Sequence, residues 1–424
     1  MKLLVTSATA YVVLFASFAT AQPAANPQGV GAKTSRLPRY IVTDLTTLGG
    51  NASTAAGGLN NRGWVNGASY LPGNTTQHAV LWRDGQTIDL GTLGGPNSSA
   101  SFPLNDAGLM AGGSEISATD PNGESFCANY LGFPTDHLIC LAFVWQNGVM
   151  TPLPTLGGNN GNANQVNNQG QITGSTENAT FDPTCSTPTL EQKPVIWRNG
   201  RIEEVLPLPP GYLQGLGIGI NDRGDVVGWA GNCVGNVPGL LWQKGRFTYL
   251  GNLGGSFTTP QGINHQDQVV GSSSLPGDAS FHGFLWQKGA MTDLGTLPGD
   301  FSSVGSAIND SGQVAGQSCD ANFNCRAVLI QNGVMTDLNT LVPSNSPLYL
   351  LAAFDINSRG QIEGCGVETS TGEIHNFLAT PVNGVGSNIL PAATSQNAPA
   401  LSDDARRQLL QRTDRFGGRR TAPQ

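Results

Sequence analysis

The chain has 424 residues, with 21 Lys and Arg against 29 Asp and Glu, for a net charge of −8. Only 12% of the residues are charged and 57 are Gly. This composition disfavours a helical bundle, because Gly costs a helix about 1 kcal/mol per position, and it favours short strands joined by tight turns. The acidic balance argues against a nucleic-acid partner, since phosphate binding needs a clustered basic surface.

The N-terminus has the pattern of a secretory signal peptide. Lys2 supplies a positive start, residues 11–18 are apolar but too short to span a bilayer, and residues 19–21 (Ala-Thr-Ala) form a small-residue cleavage site. An uncleaved anchor is the alternative interpretation. We expect residues 1–21 to be removed and 22–39 to form a flexible lead. The mature chain is then secreted or periplasmic, with no membrane span.

Two signatures recur along the rest of the chain. The first reads Leu/Val/Ile-Asn-x-x-Gly-x-φ-x-Gly, where φ is apolar and the closing Gly follows the Asn by seven residues. Its Asn residues are Asn60, Asn105, Asn167, Asn221, Asn264, Asn309 and Asn357. The second is an apolar run that ends in Trp, with Gly three residues later and a Thr-Asp-Leu-Gly-Thr-Leu-like segment after it. Its Trp residues are Trp82, Trp145, Trp197, Trp242 and Trp286, and Ile330 takes this place in the sixth copy.

These signatures predict four short strands, a to d, in each repeat. Strand a ends at the Asn, strand b at the closing Gly, strand c at the Trp and strand d at Asp-Leu. The Asn-Asp-x-Gly link between strands a and b, and the Trp-x-x-Gly link between strands c and d, have the residues of tight hairpin turns. Repeats of 43 to 62 residues with four strands match β-propeller blades. The sequence therefore predicts an all-β fold, a seven-bladed β-propeller of four-stranded blades over residues 40–382.

The two ends of the chain predict how the ring closes. The seventh c strand, around Phe377, has no d strand after it, whereas Ile41 and Val42 lie in a d-like strand with nothing before it. We expect these strands to pair, which completes the last blade and removes open sheet edges. Residues 383–424 are predicted to be a mostly disordered tail in which residues 402–412 can form a short helix.

Export permits disulfides. Cys127 with Cys140, and Cys319 with Cys325, each lie within one predicted loop, so local pairing is expected. Cys185 and Cys233 occupy equivalent loops of neighbouring repeats and are a third candidate pair, which leaves Cys365 as the odd residue. Spacing alone does not fix the connectivity, and it does not resemble a zinc site.

The repeats resemble the HAF family of probable extracellular repeat proteins, named for a His-Ala-Phe at the start of the c strand. The Thr-Leu-Gly-Gly and Ile-Asn-Asp-x-Gly elements match closely, although no copy keeps all three residues of the His-Ala-Phe. The corresponding triplets are His78-Ala79-Val80, Leu141-Ala142-Phe143, His282-Gly283-Phe284, Arg326-Ala327-Val328 and His375-Asn376-Phe377. The resemblance implies an exported bacterial protein, and the family carries no catalytic residues to transfer.

The predicted topology divides the connections between two faces. The short a–b and c–d turns form one face, here called the turn face, and the b–c and d–a connections form the other, the loop face. Length variation falls in the b–c connections of blades 2, 3 and 4, at residues 113–141, 175–193 and 229–239. Loops on a rigid scaffold commonly carry function, and tolerated insertion is the plain alternative. The candidate ligand-binding residues there are Asp120, Glu124, Tyr130, Asp136, His137, Glu177, Asp182 and Trp229.

We assign no catalytic residues from the sequence, and carboxylates from different blades stay open as an acid–base pair. It has no Gly-x-Ser-x-Gly, His-Glu-x-x-His or P-loop motif. His78, His282 and His375 occupy equivalent c-strand positions and are interpreted as packing residues, and the c-strand Trp residues as core. We expect no metal and no cofactor.

Three functional hypotheses remain. The favoured one is a secreted, non-catalytic and monomeric propeller that presents the loops of blades 2–4 to an extracellular glycan, polymer or protein. The second is an exported polysaccharide hydrolase or lyase whose carboxylates come from several blades. The third is a structural surface or matrix protein attached through its basic tail.

Overall fold

The computed structural model describes residues 37–53, 57–100, 102–235 and 237–382. The predicted signal peptide, most of the lead and the C-terminal tail lie outside the described residues. Seven four-stranded antiparallel sheets form a ring. The predicted seven-bladed β-propeller is therefore confirmed.

Each blade is a meander whose strands follow one another from the inside of the ring to the outside. Blade 1 contains β2 (Gly58–Leu59), β3 (Val65–Tyr70), β4 (Gln77–Arg83) and β5 (Gln86–Asp89). Blade 2 contains β6 (Ser98–Ala100), β7 (Met110–Thr119), α1 (Phe126–Leu131), β8 (Leu138–Gln146) and β9 (Val149–Pro152). Blade 3 contains β10 (Gly157–Val166), β11 (Gln171–Phe181), β12 (Leu190–Arg198) and β13 (Arg201–Val205).

The remaining blades repeat this order. Blade 4 contains β14 (Gln214–Ile220), β15 (Val226–Gly231), β16 (Gly239–Gln243) and β17 (Arg246–Tyr249). Blade 5 contains β18 (Thr258–Ile263), β19 (Val269–Ser274), β20 (Phe281–Gln287) and β21 (Ala290–Asp293). Blade 6 contains β22 (Ser302–Ile308), β23 (Val314–Cys319), β24 (Cys325–Gln331) and β25 (Val334–Asp337), followed by a 3-10 turn, Leu338–Leu341.

Blade 7 is completed by the N-terminal strand. It contains β26 (Leu348–Ile356), β27 (Ile362–Glu368) and β28 (Ile374–Val382), and its outer strand is β1 (Arg39–Asp44). Ile41 lies opposite Thr380 and Val42 opposite Ala379. The expected closure by one strand from each end of the chain is confirmed.

The hydrophobic core lies between neighbouring blades. Ile196 of blade 3 packs with Ile220 and Trp242 of blade 4, and Val227 of blade 4 packs in turn with Trp286 of blade 5. All five c-strand Trp side chains are buried. Their expected role as core residues is confirmed, and each blade depends on the next one to cover its apolar surface.

A cyclic set of hydrogen bonds joins all seven a–b turns. The Nδ2 amide of each repeat Asn donates to the carbonyl oxygen of the repeat Asn in the next blade, at 2.9–3.3 Å, and Asn357 donates to Asn60 to close the circle. The Oδ1 atom of each Asn accepts two backbone N–H groups of its own turn, as Asn309 does from Ser311 and Gln313. Each Asn therefore shapes its turn and links two blades.

One turn departs from the glycine rule of the repeat. Six copies have Gly at the third residue after the Asn, with φ near +80° as in Gly63 (86°), whereas the fifth copy has Asp267 at φ 58°. Asp tolerates this left-handed conformation better than most residues. The turn is therefore kept without Gly.

The repeated His residues are not simple packing residues. The Nδ1 atoms of His78, His282 and His375 each lie 2.9 Å from a carboxylate oxygen of the Asp at the end of strand d. His78 pairs with an Asp of its own blade 1, and His282 pairs with an Asp of its own blade 5. His375 instead pairs with Asp44 of the N-terminal strand, across the ring closure. Burial lowers the pKa of His375, but the hydrogen bond and charge of Asp44, with those of Glu373, outweigh it and raise the pKa.

We expect the circle of Asn side chains to be required for stability. Asn309→Asp keeps the Oδ1 acceptor but places a carboxylate oxygen against the Asn357 carbonyl, so the free energy of unfolding should fall by at least about 2 kcal/mol. Chemical denaturation measures it. The matched control is Asn332→Asp in an exposed c–d turn, and equal losses in the two variants would contradict the role of the circle.

The pair of His375 and Asp44 at the ring closure should give a pH-dependent contribution to stability. Because the folded state raises the pKa of His375, the stabilisation is fully present below the unfolded pKa of about 6.5 and is lost as the pH rises through the folded pKa. We expect His375→Gln to lower the free energy of unfolding by about 1–3 kcal/mol at pH 6 and by less at pH 8. His282→Gln, whose Asp293 partner is 43% exposed, should cost less than about 1 kcal/mol. If His375→Gln lowered the free energy of unfolding equally at pH 6 and pH 8, the raised pKa of His375 would be refuted.

Candidate functional site

The variable connections of blades 2 and 3 are largely strand extensions. β7 continues to Thr119 opposite Leu138, and β11 continues to Phe181 opposite Leu190. The expectation of loops over residues 113–141 and 175–193 is therefore wrong at both ends of each range. There the strands continue past the closing Gly, and the loops themselves are shorter. We call residues 115–140, 177–192 and the described part of 229–238 the crown, since they stand on the loop face of blades 2–4.

The tip of blade 2 has a small core of its own. Helix α1 packs Phe126 and Leu131 against Phe133, and the Cys127–Cys140 disulfide ties the helix to β8. This tip is held by apolar packing and by a covalent bond, which restricts its motion relative to the blade.

Three disulfides match the three pairs proposed from the sequence. Besides Cys127–Cys140, Cys185–Cys233 joins the tips of blades 3 and 4, and Cys319–Cys325 joins β23 to β24. Cys365 is buried and takes part in none of these three disulfides. Disulfides of this number indicate an oxidising compartment outside the cytoplasm. No helix within the described ranges is long and apolar enough to cross a membrane.

Asn160 connects the acidic residues of the crown. Its Nδ2 amide donates to Asp120 of blade 2 at 2.8 Å and to Glu177 of blade 3 at 3.1 Å. Its backbone N–H also donates to Glu177, and its Oδ1 accepts the N–H of Cys140 at 2.9 Å. One buried amide thus joins two blades and two of the predicted site residues.

The carboxyl groups of Glu124 and Glu177 lie close enough to interact. Glu124 reaches from blade 2 and also accepts the backbone N–H of Leu190 in blade 3 at 3.1 Å. Burial raises the pKa of Glu177 to about 9, and the charge of Glu124 adds to this effect. Burial likewise raises the pKa of Glu124. Burial and the neighbouring carboxyl group therefore disfavour the charged form at both residues.

The other predicted residues have separate surroundings. Tyr130 donates its hydroxyl to Gln192, and Asp182 accepts from Gln214 at 2.7 Å. The Nδ1 atom of His137 lies 2.9 Å from the Ser125 hydroxyl. These contacts brace the crown from blade 2 to blade 4.

Two candidates lie apart from this network. Asp136 is exposed beside the tip of blade 2. Trp229 is 7% exposed in β15, opposite Leu216 and Gly239, so placing it in a loop was wrong. The strand continues past Gly228, and this keeps the indole in the sheet.

Sequence reasoning missed several polar residues that organise the crown. They are Asn97, Glu115, Asn160, Gln192 and Gln214. A signal was available, because Gly-Gly-x-Asn occurs at 94–97 and 157–160 and a Glu follows the closing Gly by three residues in both blades. The two copies are equivalent in the structure, since Asn97 donates its backbone and side-chain N–H groups to Glu115 just as Asn160 does to Glu177. Burial raises the pKa of Glu115 to about 7.

Among the described residues, one group of side chains in the crown has the geometry to hold a metal ion, and its chemistry does not suit one. Asp182 lies close to Cys185 and Cys233, but both sulfurs are consumed in their disulfide. A disulfide sulfur does not supply the thiolate that metals bind. This group is therefore structural.

The loop face is acidic and carries a shallow, open groove. Its Lys and Arg side chains among the described residues are Lys193, paired with Glu191 at 3.0 Å, and Arg326, paired with Asp300 at 2.7 Å. A groove of about 390 Å³ lies at the tip of blade 3. Its lining residues are Phe181, Asp182, Cys185, Ser186, Thr187 and Pro188. Phe181 is 51% exposed there, and Val234 on the tip of blade 4 is 65% exposed.

Comparison with known proteins supports the fold alone. No known family profile matches the chain, and no curated protein matches it in sequence. A puromycin hydrolase is similar in structure with a TM-score of 0.52 and 12% identity, over 85% of this chain and 58% of that one. The β-propeller domain of the Trilobed protease from Pyrococcus furiosus has a TM-score of 0.47 and 7% identity, over 82% and 98% of the two chains.

A further similar structure is the acylaminoacyl peptidase of Pyrococcus horikoshii, with a TM-score of 0.47 and 10% identity, over 80% of this chain and 53% of that one. The chain thus spans little more than half the length of this peptidase and of the puromycin hydrolase. At such identities the likeness concerns the propeller fold.

We expect the buried acid pair to weaken the fold at alkaline pH. Because the folded state raises the pKa of Glu177, the free energy of unfolding should fall as the pH rises from about 4.5 towards 9. Glu177→Gln imitates the protonated form and should remove this part of the dependence. The free energy of unfolding of this variant, relative to that of the unchanged protein, should rise by at least about 1.4 kcal/mol between pH 5 and pH 9. This amount is the equivalent of one pKa unit.

The control for this variant is Glu203→Gln, an exposed change in the same blade. Denaturation midpoints are measured across the pH range with the disulfides intact. Parallel pH profiles for Glu177→Gln and the unchanged protein would show that Glu177 ionises normally.

Proposed function

We propose that this chain is an exported, non-catalytic binding propeller of the HAF type, whose crown recognises a polypeptide that carries positive charge beside an apolar side chain. The observation that carries the proposal is the bracing of the crown. Two disulfides and a buried hydrogen-bond network hold segments that a propeller does not need for its own closure.

A braced surface favours recognition for an energetic reason. Binding normally costs about 0.5–1.5 kcal/mol for each side chain that becomes ordered. In the crown, Tyr130, Glu124 and Asp182 are already fixed by hydrogen bonds to Gln192, Leu190 and Gln214. A partner that meets this surface therefore avoids much of that ordering cost.

The charges of the loop face favour a cationic partner. Lys193 and Arg326 are neutralised by Glu191 and Asp300, whereas Asp136 is exposed. A negative surface attracts cations and repels anionic polymers. Among extracellular partners, this supports a basic polypeptide over an acidic polysaccharide, and the groove beside Phe181 supplies the apolar contact.

The acid pair does not suit glycoside cleavage. The two carboxyl groups of such enzymes usually stand about 5–9.5 Å apart, with the sugar or a water between them. Glu177 is instead 1% exposed, and its carboxyl oxygen accepts hydrogen bonds from the backbone and side-chain N–H groups of Asn160. This geometry supports a structural role for the pair.

A binding experiment with defined probes tests the proposal. The mature chain is titrated with a labelled peptide of Arg and Leu, a Glu and Leu peptide of the same length, polygalacturonate and a neutral glucan. We expect the Arg and Leu peptide to bind at least about tenfold more tightly than the others, a difference of about 1.4 kcal/mol. Its affinity should fall as salt rises.

Phe181→Ala should weaken binding of this peptide about fivefold or more, since an anchor in a groove contributes about 1 kcal/mol or more. The matched control is Tyr249→Ala, because Tyr249 is also 51% exposed but lies on the outer strand β17. Preference for polygalacturonate, or new reducing ends in any glycan sample, would refute a non-catalytic receptor for cations.

A further inference from the structure

We propose that the C-terminal tail of this same chain, residues 401–424, docks on the crown and occupies the groove beside Phe181. This inference rests on the proposed function in one respect, since it makes the tail an internal competitor for that surface. The docking itself needs no external partner.

The tail has the composition that the crown would select. It contains six Arg residues against three Asp, together with Leu409, Leu410 and Phe416. Its Arg residues are Arg406, Arg407, Arg412, Arg415, Arg419 and Arg420. Positive charge therefore alternates with large apolar side chains, in a chain whose net charge is −8.

The crown is complementary to this segment in both respects. The open groove of about 390 Å³ is bordered by the half-exposed Phe181 and by the Cys185–Cys233 disulfide, which offer an apolar contact to an aromatic or leucine side chain. Asp136 is exposed on the neighbouring tip, and Glu124 is partly exposed between the two. Apolar contact fixes the position of such a segment, and opposite charge directs it there.

The turn face is the less favourable surface, although the last described strand ends there. β28 ends at Val382 on the turn-face side of blade 7, opposite Arg39. The a–b and c–d turns around it carry Arg62, Arg83 and Arg359. Asp84 and Asp310 lie in these turns as well, so the turn face presents mixed charge, whereas the exposed charge of the crown tip at Asp136 is acidic.

The connection is long enough for docking within one chain. About 24 residues separate Val382 from Arg406, and at about 3.3 Å per residue they extend to roughly 80 Å. The strands that separate the two faces are about seven residues long, or roughly 23 Å. A tethered segment has an effective concentration in the millimolar range, which favours its own crown over that of a second copy.

Photo-crosslinking in the full mature chain tests the docking. Benzoylphenylalanine replaces Phe416, the sample is irradiated at low salt, and mass spectrometry locates the linked peptides. We expect at least fivefold more links to residues 177–192 than to the turn-face peptides, within single chains, and loss of this preference in high salt. Links spread evenly over both faces, or links mainly between two chains, would overturn the proposal.

The control keeps the same photoreactive group and changes four Arg residues of the tail to Gln, namely Arg406, Arg407, Arg412 and Arg415. These substitutions leave the propeller sequence unchanged. The preference for the crown should then disappear. In a chain with Phe416 intact, the same four substitutions should tighten binding of the Arg and Leu peptide at least fivefold, since the competitor is removed. Unchanged peptide affinity would overturn the competition.

The two proposals fail in different ways. If the tail cross-links to the crown while neither chain binds the peptide, the crown serves the tail alone and the proposed function is wrong. If the peptide binds both chains equally and the cross-links scatter, the docking is wrong and the proposed function stands.

Discussion

The propeller depends on the hydrogen bonds that pass from each repeat Asn to the next. A blade cannot bury both of its faces alone, and the apolar clusters therefore lie between blades. The Asn circle gives this stacking a fixed spacing on the turn face, from Asn60 through to Asn357 and back. Because each amide is satisfied only by the following blade, the arrangement is complete only when the ring is closed. The pairing of β1 with β28 then makes that closure part of an ordinary sheet.

This division of work leaves the loop face free to vary. The Asn turns and the core between blades hold the ring, so the b–c segments of blades 2 and 3 can lengthen without disturbing it. Their polar residues are satisfied by one another, chiefly through Asn160, Asp120 and Glu177. Buried polar networks of this kind are costly when incomplete. The crown therefore behaves as one braced surface, and this is the property that supports a role in recognition.

The distribution of charge connects the proposed function with the tail. The described Lys and Arg residues lie mainly in the turns, and those on the loop face, Lys193 and Arg326, are paired with acids. The net charge of −8 is therefore unevenly distributed. The two faces differ in charge, and the C-terminal sequence is basic. The same electrostatic attraction that would bring a cationic partner to the crown applies to the chain's own Arg residues, at a much higher local concentration.

The sequence by itself determined the ring, because its information is periodic. The seven Asn turns, the c-strand Trp residues and the unpaired strand at Ile41 and Val42 gave the blade count and the closure. The adjacent or equivalent positions of Cys127 and Cys140, and of Cys185 and Cys233, indicated the disulfides. Each of these signals is local or repeated at fixed spacing, so no three-dimensional knowledge was needed.

Only the tertiary structure decided the arrangement of the crown. Six of the eight predicted candidates are members or neighbours of its network, but the hydrogen bonds of Glu124 to Leu190 and of Tyr130 to Gln192 cross between blades. Asn160 and Glu177 follow a pattern that blade 2 repeats, whereas Glu124 and Tyr130 lie in an insertion outside the repeat, and the interaction of Glu124 with Glu177 depends on their burial and distance. Such quantities follow from the way blades 2 and 3 stack, and linear spacing does not encode them. For the same reason the sequence misplaced Trp229, whose strand continues because its neighbours in blade 4 pair with it.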